Sequence, residues 1–323
     1  MILRFTPAAV ALLATLLLVA CASDGQTGSP PPRVSPTSRS LPLRVGVTLP
    51  LFADFAREVG GDNVDVFSIL PPGSDPHTYE PTPSDIGHIA EADIIFVNSL
   101  QPGLEGSILD VIDSNKDQDT TVIPFMDNVT SPQAQGLAPP PITAAEADDN
   151  PHLWLDVSLA RAYAGVIADA LASEDAANAA LYGDNLSRYD QRLAQLDDDV
   201  AAAVDQIPPE NHELVTPHDA FPHLARRYGL EIVGFVVAGP GQDPSPRDIA
   251  DLTNDIKDQS VPAVFTEPQI GSDSRLLEQI AADAGARVCT LYSDTLTDDV
   301  PTYVDMMRFN ADELLRCLGG GND

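Results

Sequence analysis

The sequence predicts an α/β fold, with two domains of mainly parallel four-stranded sheets joined by one long rigid helix. Three features of the 323-residue chain carry that expectation. Apolar, β-branched runs alternate with helix-like stretches, the pattern of parallel sheets built from strand-helix-strand units. The runs fall into two sets of four. Between the sets, residues 174–207 hold a helical pattern without a proline. The division is then an N-terminal domain over 43–173, a linking helix over 174–207 and a C-terminal domain over 208–320.

The chain opens on MILRFTPAAVALLATLLLVACAS, where Arg4 precedes an apolar run too short to span a bilayer comfortably. The run ends Leu18-Val19-Ala20-Cys21 and resembles a bacterial lipoprotein signal peptide. Residues 1–20 are therefore expected to be removed and the Cys21 thiol to be acylated. Acyl chains hold a protein to a membrane because each buried methylene contributes about 0.8 kcal/mol. Residues 21–42 follow as the lipidated cysteine and a flexible tether, rich in Ser, Pro, Gly and Thr. The expected location is the extracytoplasmic face of the cell membrane.

In the first set the strand candidates are RVGVTL (44–49), VDVFSIL (64–70), DIIFVNS (93–99) and TTVIPF (120–125). In the second they are ELVTP (213–217), EIVGFVV (231–237), AVFTEP (263–268) and RVCTLY (287–292). Along the linking segment Tyr182, Leu186, Tyr189, Leu193, Leu196, Val200 and Val204 recur at steps of three and four, giving one apolar stripe. A helix of this length is on the order of 45 Å long at ~1.5 Å per residue, enough to join both domains and limit their swing.

A formal charge of −32, from 49 acidic against 17 basic side chains, repels nucleic acid and argues against it as a partner. A solvated acidic shell accounts for most of this charge. The chain is expected to be a monomer. Besides Cys21, Cys289 and Cys317 form an even pair in an oxidising compartment, compatible with a disulfide or with two buried thiols.

His77, His152 and His218 each follow a proline at the end of an element: SDPHTYE after the second strand, NPHLWLD before a helical stretch, and TPHDAF after the fifth strand. Ligands of open parallel sheets bind at the carboxyl ends of strands, so these positions can converge. Three neutral imidazoles suit a borderline divalent metal, and a carboxylate would complete a tetrahedron.

Five motifs in order carry a closer likeness: SDPHTYEPTPSDIGHIAEADIIFVNS, NPHLWLDV, TPHDAFPHLARRYGLEIVG, FTEPQIGSDSRLLEQIAADAGARV and LYSDTL. Over about residues 43–318 the chain resembles the cluster A-I substrate-binding lipoproteins of zinc and manganese ABC transporters. The resemblance implies metal ligands at His77, His152, His218 and Asp294, two from each domain, with the metal in the interdomain cleft. It also implies an ABC permease as partner.

Glu267, in FTEPQ, is the rival carboxylate; alternatively it orients a ligand imidazole. Glu80 and Asp219 are further candidates for that supporting role. Asp156 is expected to cap the next helix, Trp154 to wall the site with apolar surface, His88 and His212 to be exposed, and His223 to serve packing. Where the family often has Asp-Pro-His, this chain has Asn150-Pro151-His152, which softens the charge beside the ligand. The histidine-rich insertion of many zinc-specific relatives is missing from 127–149, whose later part offers Glu146, Asp148 and Asp149. The family's manganese importers often carry a glutamate at the third position, so His218 favours zinc, with manganese the alternative. A zinc hydrolase would need an open coordination position, and the chain has no His-Glu-x-x-His motif. A siderophore or cobalamin binder would need a wide cleft with basic or aromatic contacts. An adhesion role would be additional. A binding protein and not an enzyme is expected.

Overall fold

A computed structural model describes residues 42–101, 103–129, 150–237, 239 and 243–320. The signal peptide, Cys21, the tether up to residue 41, and Glu146, Asp148 and Asp149 lie outside the described residues. The described residues belong to one compact unit.

The first sheet contains β1 (Leu43–Val47), β2 (Val64–Ser68), β3 (Ile94–Val97) and β4 (Thr121–Pro124), all parallel in the order β2-β1-β3-β4. β3 is Ile-Ile-Phe-Val and buried along its whole length, as expected for a central parallel strand covered on both faces. Helices α1 (Pro50–Gly60), α2 (Pro83–Ala90), α3 (Gly106–Asn115) and α4 (Phe125–Val129) complete this lobe. α2 starts at a reciprocal capping box between Thr82 and Asp85, which ends the loop carrying His77 at a defined point.

α5 (Val157–Glu174) and α6 (Ala179–Val204) come next. α6 is the predicted linking helix, but it begins at Ala179 because a turn over 175–178 separates it from α5. At 26 residues it is ~39 Å long. Its stripe is as read, with Tyr182, Tyr189, Leu193, Leu196, Val200 and Val204 buried and Leu186 half-buried. Asp190 on α6 makes a two-point ion pair with Arg161 on α5, at 2.6 and 3.0 Å.

The second lobe holds β5 (Glu213–His218), α7 (Pro222–Tyr228), β6 (Glu231–Val237), α8 (Pro246–Gln259), β7 (Ala263–Thr266), α9 (Gly271–Ala284), β8 (Arg287–Thr290) and α10 (Tyr303–Leu318). Its four strands are parallel but hydrogen-bonded as two pairs, β5-β6 and β7-β8, with β7 lying alongside β5. All four strands of the first lobe, and β7 and β8 of the second, end one or two residues before their apolar runs do, whereas β6 ends with its run and β5 continues one residue further, to His218.

The inner faces of both lobes share one apolar core, threaded by α6 and including Phe52, Trp154, Tyr189, Phe221, Phe265 and Leu314. The outer faces have separate clusters, around Ile95 and Ile108 in the first lobe and around Val264 and Ile280 in the second. This shared core explains why the lobes form one compact unit. The α10 N-terminus is tied to the first lobe, where the backbone N–H of Tyr303 donates to Asp54 at 3.0 Å. No helix among the described residues is long and apolar enough to cross a membrane.

Candidate metal centre

Each of the four predicted ligands is delivered by a different local device. His77 lies in the β2–α2 loop, where Gly73 adopts φ +80°, a left-handed conformation natural to glycine. The Gly73 N–H donates to the Thr295 hydroxyl at 2.7 Å, joining this loop to the segment that carries Asp294. Asp75 accepts from the His77 N–H at 3.0 Å and from the Thr78 hydroxyl at 2.9 Å, an Asx turn that stiffens the loop. His152 precedes a 3₁₀ turn, Leu153–Leu155, after which Asp156 caps α5 by accepting from the Ser158 N–H at 2.9 Å. His218 is the last residue of β5. Strand order reverses between β5 and β7, so His218 and Glu267, one residue past β7, face each other across the crevice where α/β sheets bind ligands. Asp294 follows β8 on a segment held from below: Asn310 of α10 clamps both the N–H and the carbonyl of Tyr292 at 2.8 Å. A disulfide joins Cys289 on β8 to Cys317 on α10.

The donor atoms converge. His152 Nε2 lies 3.4 Å from Asp294 Oδ1, His218 Nε2 3.7 Å from Asp294 Oδ2, and His77 Nε2 4.0 Å from Asp294 Oδ2. The two Nε2 atoms of His152 and His218 are 3.4 Å apart. Ligands ~2.0–2.1 Å from a tetrahedral zinc ion lie ~3.4 Å from one another, so this spacing matches the edges of such a tetrahedron. His77 Nε2 and both Asp294 oxygens are buried without a hydrogen-bond partner, a costly arrangement unless something else satisfies them. The His77 side chain is 14% exposed whereas Asp294 is fully buried, so the opening to solvent lies on the His77 side.

The surroundings fix each imidazole. Nδ1 of His152 lies 2.9 Å from Asn150 Oδ1, which can only accept, so Nδ1 carries the proton and Nε2 presents its lone pair. His218 Nδ1 lies 2.8 Å from Glu267 Oε1. Glu267 is further held by Gln269 and by the Ser293 hydroxyl. The Trp154 ring stands edge-on to His152 at 5.4 Å, and its indole N–H donates to the Ser293 carbonyl at 2.7 Å, so it does wall the site.

Burial divides the protonation states. Desolvation, with the charge of His218, pushes His77 down to about 3. The same two causes, aided by the other histidines, hold His152 well below the usual imidazole value. For His218 desolvation acts downward too, but the Glu267 charge and hydrogen bond and the Asp294 charge outweigh it and raise the group to about 9. Desolvation raises Asp294 to about 7, reinforced by Glu267 and Asp75 and opposed by His218.

Among the described residues, one donor atom each of His77, His152, His218 and Asp294 lies within 4.8 Å of the others, and Glu267 is not in that group. Glu80 is exposed and outside it, because the Asx turn aims His77 inward while the chain beyond turns out to solvent. Asp219 contributes its carbonyl, which accepts from Asn150 Nδ2 at 2.6 Å. His88 is half-buried against Phe67, and half-buried His212 bridges the carbonyls of Ile207 and Gly229; neither is exposed as expected. His223 does more than pack, since its Nε2 lies 2.9 Å from the Asn150 carbonyl. Asp75, Gln269, Ser293 and Asn310 were not legible as site residues. Only Asp75 carried a signal, its spacing two residues before a histidine after a Gly-Ser turn.

A two-lobed α/β body with three imidazoles and a carboxylate buried where its lobes meet defines a binding protein for a divalent metal. The family described as ZnuA, zinc-uptake complex component A, periplasmic, matches residues 45–317, and the chain belongs to that family. It is 27% identical over 310 residues to the metal ABC transporter substrate-binding lipoprotein SsaB of Streptococcus sanguinis, covering 94% of this chain and 95% of that protein. It is 28% identical over 281 residues to the manganese-binding lipoprotein MntA of Halalkalibacterium halodurans, covering 85% and 88%. The periplasmic zinc-binding protein TroA from Treponema pallidum superposes with a TM-score of 0.75 at 26% identity, covering 86% of this chain and 99% of TroA.

Proposed function

We propose that the protein is a lipid-anchored, extracytoplasmic solute-binding component that captures a divalent transition metal, zinc before manganese, and delivers it to an ABC permease. One observation carries the reading: the unpartnered His77 Nε2 and Asp294 oxygens meet the Nε2 atoms of His152 and His218 at a single buried point. In this reading those four residues are the ligands and Glu267 orients His218. Three nitrogen donors favour zinc, which outcompetes manganese at imidazole. The relatives are named for manganese in one case and zinc in another, so they leave the order of metals to experiment. Binding rather than hydrolysis is supported by Asp294 standing where a catalytic zinc site keeps an open position for water. Cleavage after residue 20, acylation of Cys21 and the tether up to 42 would supply the anchor, in line with the lipoprotein names of the relatives. The domain division at 173/174 and 207/208 is part of the same proposal.

Metal analysis of protein purified without chelator, followed by competition between zinc and manganese, tests it. Zinc at one equivalent, not displaced by excess manganese, is expected. Manganese displacing zinc would reverse the order, and a protein that takes up neither metal would remove the reading.

X-ray absorption on the zinc-loaded variants separates the two carboxylates. Asp294→Ala is expected to replace one protein ligand by water, whereas Glu267→Ala is expected to keep the shell and weaken binding by roughly 10- to 100-fold. A changed shell in Glu267→Ala with an unchanged one in Asp294→Ala would exchange their roles.

The metal-free protein is expected to carry a stability cost at Asp294. A carboxyl whose folded-state value is about 7 against an ordinary 3.8 binds its proton more tightly when folded, so stability falls as pH rises through that interval. Asp294→Asn should therefore raise the melting temperature of the metal-free protein at pH 8, by about 3 °C or more, while weakening metal binding. Differential scanning calorimetry with chelator checks this; an unchanged or lower melting temperature would mean that the buried carboxylate is compensated in the metal-free fold.

A further inference from the structure

Asn150 engages the metal centre through three groups, two of which reach across to the other lobe. Its Oδ1 accepts from the backbone N–H of His152 at 3.1 Å and from the Nδ1 of that ring at 2.9 Å. Its Nδ2 donates to the Asp219 carbonyl at 2.6 Å, on the loop that follows His218 in the other lobe. Its own carbonyl faces Nε2 of His223, on α7 of that same lobe, at 2.9 Å. The residue is only 7% exposed, so water competes poorly for these bonds.

Only an amide satisfies both ends of this arrangement. A carboxylate at position 150 would accept from His152 and make its ring a stronger donor, as carboxylates behind metal-bound histidines do. It could not donate to Asp219, and an anionic oxygen would instead face that carbonyl at close range. Asparagine thus gives up basicity at His152 and gains a bond across the cleft.

We infer that Asn150 is a positioning residue that clamps the lobes around the bound metal and so sets how slowly the metal leaves. The inference rests on the reading of the four donors as a metal site. It makes an unusual prediction of sign. If Asn150 acted only by fixing the His152 tautomer, aspartate would serve better and the metal would leave more slowly. If the cross-lobe bond governs release, aspartate makes release faster despite the stronger donor.

The test is stopped-flow release of zinc from the loaded protein into excess coloured chelator, with wild type, Asn150→Asp and His223→Ala. Asn150→Asp is expected to release zinc about tenfold faster, the scale of one lost hydrogen bond plus a new repulsion. His223→Ala keeps the bond between Asn150 Oδ1 and the His152 ring and removes the second bond across the cleft, at the Asn150 carbonyl, so it should also release faster, by a few-fold. Melting of each metal-free variant, expected within a few degrees of wild type, guards against a general loss of structure. Release from Asn150→Asp at the wild-type rate or slower would overturn the inference, as would wild-type release from His223→Ala. A wild-type protein that takes up no zinc would instead refute the metal-site reading itself, so the two failures are distinguishable.

Discussion

Replacing His152 with alanine is expected to weaken zinc binding by roughly 10²–10³-fold, because four-donor zinc sites bind with ~10–16 kcal/mol and one donor in four carries ~3–4 kcal/mol of that. His77→Ala should lose a similar amount, and with a smaller effect on the metal-free fold, since its side chain is the most exposed of the four at 14%. Calorimetric titration of zinc into each variant measures both losses. Unchanged affinity in either removes that histidine from the ligand set.

His218 differs from the other two. It is the cation between Glu267 and Asp294, two carboxylates whose side chains are wholly buried. Truncating it to alanine leaves those charges without a counter-ion, the kind of change that costs about 3–5 kcal/mol. The metal-free His218→Ala protein is therefore expected to melt well below wild type, whereas His152→Ala, which removes a neutral ring, should melt close to it. His218→Gln keeps a donor to Glu267 and separates loss of the ligand from loss of the fold. Equal melting temperatures for His218→Ala and His152→Ala would mean that the metal-free pair around Glu267 is not ionised.

Much of this centre is legible in the sequence because its parts obey local rules. Histidines after prolines at element ends, a strand ending in Thr-Pro-His, and a proline-free apolar stripe at helical steps each give themselves away within ten or so residues. The long helix is foreseen for that reason, and its late start at Ala179 is missed because 175–178 contain no proline or glycine to announce a turn. The supporting shell is less visible. Ser293 lies 26 residues from Glu267, Gln269 24 from Ser293 and Asn310 18 from Tyr292, so these contacts form only through tertiary structure. Glu80 is misplaced for a related reason: spacing from His77 does not tell which way the chain turns after an Asx turn. His223 reads as packing because five residues from His218 is off its helical face, yet β5 ends at His218 and α7 begins only at Pro222. The helical rule does not apply across that junction, and the ring reaches Asn150 instead.

The affinity for zinc is expected to fall by roughly 10⁵-fold between pH 8 and pH 5, from counting the protons that the metal must displace. His77, pushed down to about 3, is already neutral over this range, and burial holds His152 well below the ordinary imidazole value of 6.5, so neither adds a proton near neutrality. His218, raised to about 9, is a cation throughout and gives up one proton whenever metal binds to Nε2. That gives about a tenfold loss for each pH unit. Asp294, raised to about 7, adds a second proton below that value, so the slope should double near neutrality instead of steepening at the ordinary imidazole value of 6.5. The same groups act on the metal-free fold in the same sense. His218 contributes stability that is full below 6.5 and lost as pH rises through 9, and the cost at Asp294 grows between 3.8 and 7. Alkaline pH therefore weakens the empty protein while strengthening its hold on zinc, and the zinc-induced rise in melting temperature should be large at pH 8 and nearly gone at pH 5. Competition against a fluorescent chelator from pH 5 to 8 measures the slope. Calorimetry in two buffers of different ionisation enthalpy counts the protons directly, with about one expected at pH 8 and about two at pH 6. A slope that stays flat until 6.5 and then steepens to three protons would mean that the histidines titrate as ordinary surface imidazoles, and that the buried partners at Glu267 and Asn150 do not govern the site.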